Sequence, residues 1–338
     1  MMSIKNIYIF FKEFYYTHPI KYLYTKLNPV IGYDKNYKKL ILTYKNYENL
    51  EGEKSNKIIF MCDGKINQGG LTDRFRGIIS TYFLAKILNR SFYINWTSPF
   101  RLEKFLQPNK YNWHIENKEI KYNINTSLVI VLQTNKSKFK NFLNYLIFIN
   151  YISKRRKEKH IYSNYFFPKF IYCRLFHHLF KPTSELSFEI EYHKKIIGEN
   201  YWSFSFRFQQ LLGDFKDPGG RILSKEASER LIHKNLNELS KLIHTLPENY
   251  KFLITSDSKR FLGKAAKIDS RIYIVPGSIP HIDFETGDIS SYSKMFIEYY
   301  LIMSAKKVYL MITDDMYKSR FAEFAALLGN KKFIVHRF

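Results

Sequence analysis

The sequence lacks most of the short motifs that identify metal proteins, redox proteins and hydrolases. It has only two cysteines, Cys62 and Cys173, and no Cys-x-x-Cys pair, which excludes a zinc knuckle and a thioredoxin motif. No Gly-x-Ser-x-Gly segment is present, which argues against a serine hydrolase. Gly69-Gly70 belongs neither to a Gly-x-Gly-x-x-Gly fingerprint nor to a Walker loop, because no Gly-Lys-Ser/Thr follows.

Long apolar runs are also missing. None reaches the roughly 18 residues that a membrane-spanning helix needs, and the run at 7–11 is too short for a signal peptide. Residues 1–27 mix Lys with Tyr, Phe and Ile. This composition suits either a packed N-terminal helix or a segment lying at a membrane surface. The small number of cysteines fits the reducing environment of the cytoplasm.

Acidic residues are scarce beside basic ones. The 30 Asp and Glu against 54 Lys and Arg give a net charge of +24. Such a protein attracts nucleic acid, acidic lipid headgroups or phosphate-bearing substrates. The abundance of Lys, Asn, Ile, Tyr and Phe is equally the bias of an AT-rich genome, so the charge could also be an ordinary solvated surface. An aromatic content of 18% argues against a disordered chain.

Strand-like and helix-like runs alternate along most of the chain. With 338 residues, this predicts an α/β fold of two domains, each with a parallel sheet covered by helices. The predicted strands are 57–62, 91–96, 128–132, 202–208, 251–255, 271–275, 307–312 and 332–336. The predicted helices are 73–88, the segment between Ser224 and Pro247, 258–267, 291–304 and 317–328. Residues 137–181, rich in Lys and aromatics, predict a basic helical insertion.

A glycine loop is the most informative segment. Gly69 and Gly70 follow the first predicted strand, and Asp73, Arg74 and Arg76 lie in the first turn of the helix that comes next. Glycines let a ligand approach the backbone, and a helix N-terminus attracts anions. The two arginines add charge where a phosphate would bind. The loop therefore indicates an enzyme that handles a nucleotide-linked substrate.

Polar residues also follow the strands of the second half. Ligands of open α/β sheets bind beyond the carboxyl ends of strands. Arg207, which shares a strand face with Ser203 and Ser205, would there contact a diphosphate. The alternative is a structural ion pair with Asp214 or Asp217. The other strand-end residues are Ser256-Asp257-Ser258, Thr313-Asp314-Asp315 and Ser319-Arg320.

Four segments resemble, in the right order, the motifs of the fucosyltransferase superfamily. That superfamily includes the nodulation fucosyltransferase, α1,2-fucosyltransferases and protein O-fucosyltransferases. The segments are Gly69–Asn89, Ser205-Phe206-Arg207 with Gly213-Asp214, Thr255-Ser256-Asp257-Ser258, and Ser319–Leu327 preceded by Tyr300–Ala305. The resemblance covers about residues 57–96 and 200–336.

This resemblance implies a GT-B glycosyltransferase, with two Rossmann-like domains whose parallel sheets face a cleft. Residues 1–195 would be the acceptor-side domain, with the insertion at 137–181, and residues 196–338 the nucleotide-sugar-binding domain. The enzyme would invert configuration, need no cofactor or metal, and use a GDP-sugar, most often GDP-fucose. We expect Asp314-Asp315 to cap a helix rather than to bind a metal.

The resemblance also assigns roles to residues. Arg207 would stabilise the leaving diphosphate, and Asp73 or Asp214 would act as the base. Guanine or ribose would contact Ser256, Asp257 and Ser258, and the diphosphate would contact the helix N-terminus at Ser319. The full set of predicted nucleotide-sugar-binding residues is Gly69, Gly70, Arg74, Arg76, Ser205, Ser256, Asp257, Ser258, Ser319, Arg320 and Phe321.

Three positions depart from the family pattern and bear on the donor sugar. Ser205 stands where a His is usual, Thr72 where a Gly is common, and Ala322 where a Ser is common. Another GDP-sugar, such as a heptose, is therefore an alternative donor.

The expected partners are the GDP-sugar and a glycan or lipid-linked oligosaccharide acceptor in bacterial capsule or lipopolysaccharide synthesis, without nucleic acid. We expect a cytoplasmic protein on the inner face of the cytoplasmic membrane, held to anionic lipid by residues 1–27 and 137–181. The rival hypothesis is a non-enzymatic protein that binds polyanions or membranes through its basic surface.

Overall fold

The computed structural model describes residues 40, 42–44, 55–123, 126–132, 157–164, 169–216, 220–277, 280–283 and 289–338. In chain order, the first elements are β1 (Lys57–Cys62), α1 (Leu71–Ile87), β2 (Ser91–Trp96), β3 (Leu106–Pro108), β4 (Ser127–Leu132), β5 (Glu158–Ser163), α2 (Tyr172–Leu179) and β6 (Phe180–Pro182). They are followed by α3 (Ser184–Ile197), β7 (Tyr201–Phe206), α4 (Lys225–His244), β8 (Lys251–Ser256), α5 (Lys259–Ala265), β9 (Ile272–Tyr273), α6 (Ile289–Ser304), β10 (Lys307–Ile312), α7 (Phe321–Leu328) and β11 (Lys332–Arg337).

The chain divides into two compact units. The first consists of Met1–Arg101 and Pro108–Phe180, and the second of Leu102–Gln107 and Lys181–Phe338. Helix α3 belongs to the second unit, whereas the sequence interpretation drew the division at residue 195, near the end of this helix. None of the described helices combines the length and the apolar character that crossing a membrane requires.

The first unit is built on a four-stranded sheet of order β2-β1-β5-β4, in which neighbouring strands run parallel. Strand β1 is buried along nearly its whole length, as an inner strand of a parallel sheet requires. Helix α1 contacts β1, β2 and β5. A Cβ atom at Gly77 would lie 2.0 Å from the Ser163 carbonyl oxygen, so this glycine lets the helix approach the backbone beside β5.

The second unit is built on a five-stranded parallel sheet of order β11-β10-β7-β8-β9, with β7 at its centre. Alternate residues of β7 and β8 enter one apolar cluster, which also contains residues of α4 and α5. Ser224 caps α4 by accepting the Ala227 N–H at 3.2 Å, as its sequence position predicted. The predicted alternation of strands and helices is therefore present in both units.

The predicted helical insertion at 137–181 is wrong for residues 158–163, whereas Tyr172–Leu179 is helical and forms α2. Glu158–Ser163 is a buried strand between β1 and β4. This strand could not be recognised in the sequence because Glu158, Lys159 and His160 are polar. Each of them is nevertheless almost fully buried and has hydrogen-bond partners. Residues 137–156, including most of the basic run, and residues 1–27 lie outside the described residues.

Two element boundaries change the setting of predicted site residues. Strand β7 ends at Phe206, so Arg207 is the first residue beyond its carboxyl end. Helix α7 begins at Phe321 rather than at residue 317, so Ser319 lies in the turn before it.

Candidate functional site

Arg207 and Asp257 meet at the carboxyl end of the central strand of the second unit. Phe206 at the end of β7 lies opposite Ser256 at the end of β8, which places the two following residues side by side. The Arg207 Nη1 atom lies 3.3 Å from the Asp257 Oδ2 atom. The alternative prediction, a structural ion pair of Arg207 with Asp214 or Asp217, is therefore correct in kind. The acidic partner, however, is Asp257 and not Asp214. Asp217 lies outside the described residues.

Asp257 holds the backbone that carries Arg207. Its Oδ1 atom accepts the Phe208 N–H at 3.0 Å, and its Oδ2 atom accepts the Gln209 N–H at 2.7 Å. Gln209 has a φ of 54°, a left-handed conformation that non-glycine residues adopt at a cost. Two hydrogen bonds to one carboxylate therefore fix a strained turn directly after Arg207.

The Asp257 carboxyl group is almost fully enclosed, with 1% of its side chain exposed. Burial raises the pKa of Asp257 above its ordinary value, and the Arg207 guanidinium and the two backbone N–H groups oppose that rise. Removing any of these partners would leave a buried carboxylate poorly compensated. Asp257 is thus bound to protein groups and supports Arg207, whereas the sequence interpretation gave it guanine or ribose.

Arg207 is itself partly open to solvent. Its guanidinium lies 4.4 Å from the centre of the Phe215 ring, and 24% of its side chain is exposed. An aromatic ring on one face and a carboxylate at one nitrogen restrict the side chain to one orientation. A preoriented arginine at a strand end is suited to a bidentate contact with a phosphate group.

Asp214 and Ser258 lie together at the N-terminus of α5. The Ser258 hydroxyl accepts the Phe261 N–H at 3.1 Å and donates to the Asp214 Oδ2 atom at 2.8 Å. The same Asp214 oxygen accepts the Arg260 N–H at 3.0 Å. Ser256 accepts the Ser258 N–H at 3.1 Å. These bonds satisfy the first amides of the helix, so the structure gives Asp214 and Ser258 capping contacts.

Ser205 forms a hydrogen bond across the sheet. Its hydroxyl lies 2.8 Å from the Thr255 hydroxyl, and the residue is buried. The two side chains face the same side of neighbouring strands, one residue before the strand ends.

The loop before α7 reaches the same sheet edge through a main-chain bond. The Tyr317 N–H donates to the Arg207 carbonyl oxygen at 3.2 Å. Ser319 accepts the Phe321 N–H at 3.2 Å, and the Phe321 ring centre lies 5.0 Å from that of Tyr299. Arg320 is exposed. Ser319 therefore accepts the first amide of α7, whose N-cap is Arg320, and it lies two residues after Tyr317, which is bonded to the Arg207 backbone.

The acidic pair in this loop forms ion pairs with basic residues. Lys234 Nζ lies 3.0 Å from an Asp314 oxygen, and Arg221 pairs with Asp315. Within the described ranges, no group of three His, Cys, Asp or Glu side chains is placed to hold a metal ion. The metal independence implied by the resemblance stays a prediction.

In the first unit, the glycine loop has the backbone that its sequence predicted. Gly69 has a φ of +83°, and a Cβ atom there would lie 2.7 Å from an Asp73 carboxylate oxygen, so a side chain does not fit. Gly70 is the N-cap residue of α1, and because it has no side chain, no side-chain hydrogen bond caps this helix. Asp73 pairs with Arg76 at 2.6 Å, and 39% of the Asp73 side chain is exposed against 9% for Arg76.

Arg74 faces the interior of the first unit. Its Nη1 atom donates to the Cys62 sulfur and the Ser98 carbonyl oxygen, each at 2.8 Å, and its Nε atom to the Gly69 carbonyl oxygen at 3.2 Å. The guanidinium also lies 5.1 Å from the centre of the Trp96 ring. With 3% of the residue exposed, Arg74 holds the glycine loop from within.

The predicted site residues thus form two groups, one in each unit. Arg207, Ser205, Ser256, Asp257, Asp214 and Ser258 gather around the ends of β7 and β8, while Asp73, Arg76 and the glycines gather at the start of α1. The sequence interpretation missed the Phe208 and Gln209 amides and the Phe215 ring. No sequence motif signals a left-handed turn at a residue other than glycine. The ring that contacts Arg207 also lies at no fixed number of residues from it in the sequence.

The sequence matches no protein-family model, and a search of curated proteins finds no match. Similarity appears among solved structures. The NodZ α-1,6-fucosyltransferase soaked with GDP-fucose has a TM-score of 0.54 and 14% identity, covering 81% of this chain and 93% of its own. The fucosyltransferase NodZ from Bradyrhizobium has a TM-score of 0.53 and 14% identity, covering 82% of this chain and 94% of its own.

A variant of Arabidopsis thaliana FUT1 in complex with GDP has a TM-score of 0.54 and 11% identity, covering 89% of this chain and 74% of its own. These similarities concern the fold. They confirm the predicted α/β class with parallel sheets, and the predicted resemblance to fucosyltransferases is confirmed as a resemblance in fold.

Proposed function

We propose that the protein is a glycosyltransferase that moves a sugar, most directly fucose, from a GDP-sugar to a glycan hydroxyl. The observation that carries this proposal is Arg207, held by Asp257 and Phe215 at the carboxyl end of the central strand of the second unit. The fold resembles that of a fucosyltransferase soaked with GDP-fucose and that of a FUT1 variant in complex with GDP.

Sugar transfer needs such a group because a diphosphate leaves with its negative charge as the sugar carbon becomes cationic. A fixed cation stabilises the departing charge without a cost of reorganisation at the moment of reaction. The Arg207 guanidinium is fixed by Asp257, which is itself held by two backbone N–H groups. In this role Arg207 would contact the β-phosphate, with the α7 N-terminus near Ser319 as a second anion-binding element.

The fucose assignment and the acceptor are finer parts of the same proposal. Ser205 hydrogen bonds to Thr255 at the position where a histidine is usual, so another GDP-sugar such as a heptose stays an alternative donor. A bacterial capsular or lipopolysaccharide glycan is the proposed acceptor. The net charge of +24 supports peripheral contact with the anionic inner face of the cytoplasmic membrane.

The test is binding of a nucleotide panel in the presence of EDTA, followed as thermal stabilisation. GDP and GDP-fucose should raise the melting temperature of the wild type, while Arg207→Ala should abolish the shift. A matched control is Arg271→Ala. Arg271 is also paired with an aspartate, at 2.7 Å, and packed on a phenylalanine ring, at 5.0 Å, but it precedes β9.

Each outcome separates the candidates. A preference for UDP or CMP would keep a transferase but contradict the GDP assignment. A strict need for a metal would contradict the metal independence that the resemblance implies. No response to any nucleotide, with salt-sensitive binding of polyanions, would favour the non-enzymatic hypothesis.

A further inference from the structure

The outer face of helix α3, in the second unit, exposes a row of apolar side chains. Phe188, Tyr192 and Ile196 follow one another at four-residue spacing, which places them in one line along the helix. Their exposed fractions are 70%, 53% and 40%. They make up three of the eight large apolar residues that are exposed in the described parts of the chain. Single exposed apolar side chains are ordinary on a protein surface, whereas a contiguous row is typical of a contact site.

The opposite face of α3 packs on the second unit in the usual way. Leu186 and Ile197 are buried, and the helix contacts α6 and β8. At the start of the helix, the Thr183 hydroxyl accepts the Leu186 N–H at 3.3 Å. At its end, the Lys251 ammonium donates to the Ile196 carbonyl oxygen at 2.6 Å. The exposed row is therefore presented on a helix that is held along its inner face and at both ends.

The charges beside the row are divided between the two halves of α3. The first half carries Glu185, Glu189 and Glu191, and the second half carries Lys194 and Lys195. This order suits the helix dipole, but the dipole acts only within the first and last turns, and two of the three glutamates lie beyond the first turn. Glu191 also pairs with Lys194 at 2.9 Å, yet 61% of its side chain is exposed, so this pair adds little stability.

A second copy of α3 in the antiparallel direction matches both the row and the charges. If the two helices are centred on Tyr192, Phe188 lies opposite the partner's Ile196, because both are four residues from the centre. The acidic half of each helix then lies beside the basic half of the other. A parallel pair would instead place like charges together. The antiparallel pair has two-fold symmetry, in which one surface contacts an identical surface, as in most homodimers.

The overall charge of the protein also favours a second copy over a lipid surface. Helix α3 has three glutamates and two lysines, in a chain with 54 basic and 30 acidic residues. An anionic membrane attracts clusters of Lys and Arg, so an acidic half-helix is unfavourable there. The same positive charge makes two copies of the chain repel each other. A helix that carries both signs is a place where they can approach.

We propose that α3 is the contact surface of a homodimer, in which the row Phe188, Tyr192 and Ile196 packs antiparallel on the same row of a second copy. The helix has 14 residues and is about 21 Å long. One helix pair gives a small interface, of the size found in weak complexes. The dimer therefore forms at high protein concentration and dissociates on dilution. It needs no nucleotide, so this inference and the proposed function can fail independently.

The experiment is sedimentation velocity of the full chain without nucleotide, over micromolar to submillimolar concentrations. The wild type should change from one chain to two as its concentration rises. Phe188→Lys should raise the dissociation constant at least about tenfold, because the dimer loses two buried phenylalanine rings. Phe170→Lys is the matched control, since Phe170 is also 70% exposed but lies in the first unit. It should dimerise like the wild type, and both variants should keep the wild-type melting temperature in dilute solution.

An exchange of charges tests the antiparallel pairing. One variant combines Glu189→Lys with Glu191→Lys, and the other combines Lys194→Glu with Lys195→Glu. Each variant alone should remain a single chain at concentrations where the wild type dimerises, because like charges then meet. An equimolar mixture should form a dimer of the two different chains. Contacts within one helix cannot produce this result, because mixing does not change them.

Other results would overturn the proposal. A wild type that remains a single chain at every concentration would show that α3 does not join two copies. If Phe188→Lys then lowers the melting temperature, the row contacts another part of the same chain. If it instead weakens binding to vesicles of phosphatidylglycerol, the row contacts lipid. A mixture of the charge variants that does not associate, or equal weakening by Phe170→Lys and Phe188→Lys, would also contradict a dimer through α3.

Discussion

Replacing Asp257 by asparagine tests the contacts that hold Arg207. The change keeps the shape of the side chain but removes its charge and one of its acceptors. The aspartate now accepts the Phe208 and Gln209 N–H groups on separate oxygens. An asparagine accepts only one of them and turns its own NH₂ group towards the other.

The expected cost follows from those two bonds. One charge-assisted hydrogen bond is lost and one buried N–H is left without an acceptor, which together cost about 3 kcal/mol or more. For a unit of this size, the melting temperature should fall by roughly 6–12 °C. Arg207 should also lose its fixed position, and GDP affinity should fall about tenfold while guanosine affinity stays unchanged.

The pH dependence of this effect has a definite sign. Burial raises the pKa of Asp257 in the folded protein above that in the unfolded chain. Between the two values the folded state binds more protons, so the aspartate's contribution to stability is greatest in acid and falls as pH rises through this window. Asparagine does not titrate. The stability advantage of the wild type over Asp257→Asn should therefore shrink from acid towards neutral pH.

The assay is thermal unfolding across this pH range, together with titration of GDP and guanosine. Asp269→Asn is the matched control, because Asp269 also accepts a backbone N–H, at 2.8 Å, and pairs with Arg271 at 2.7 Å. An Asp257→Asn protein with wild-type stability and wild-type GDP affinity would refute the argument. An equal loss of GDP affinity in Asp269→Asn would show that the loss in Asp257→Asn does not depend on the contact of Asp257 with Arg207.

Substitutions at three further positions test the fold. Gly77→Ala should cost about 3 kcal/mol or more, because the new Cβ would lie 2.0 Å from the Ser163 carbonyl oxygen; chemical denaturation with an unchanged midpoint would contradict this. Gly263→Ala should raise stability by about 1 kcal/mol, since this position of α5 has open space for a methyl group. Ser224→Ala should lower stability by about 1 kcal/mol through loss of the α4 cap, and Ser224→Asp should retain it.

The sequence was sufficient for the alternation of elements where each element has a clear period. Strand β1 is a short apolar run, and α4 begins at a serine cap, so both lie close to their predicted places. Strand β5 could not be found because its burial depends on partners distant in sequence. His160, for example, meets Tyr44 across 116 residues of chain.

The candidate site shows the same division. That Arg207 lies near the end of a strand was visible in the alternation of its neighbours, although the predicted strand 202–208 included it. The left-handed Gly69 was visible as a glycine pair. The pairing of Arg207 with Asp257 was not visible, because it depends on β7 and β8 being adjacent in the sheet. The capping contacts of Asp214 and Ser258 also form across 44 residues of sequence. Strand order, rather than any local motif, decides which of the strand-end residues meet.

The most direct test of the central claim is a crystal structure of the protein with GDP. The account predicts GDP at the carboxyl end of β7, with diphosphate oxygens about 2.7–3.0 Å from the Arg207 guanidinium. Asp257 should still hold the Phe208 and Gln209 amides. GDP bound elsewhere, with Arg207 turned away from the diphosphate, would contradict it.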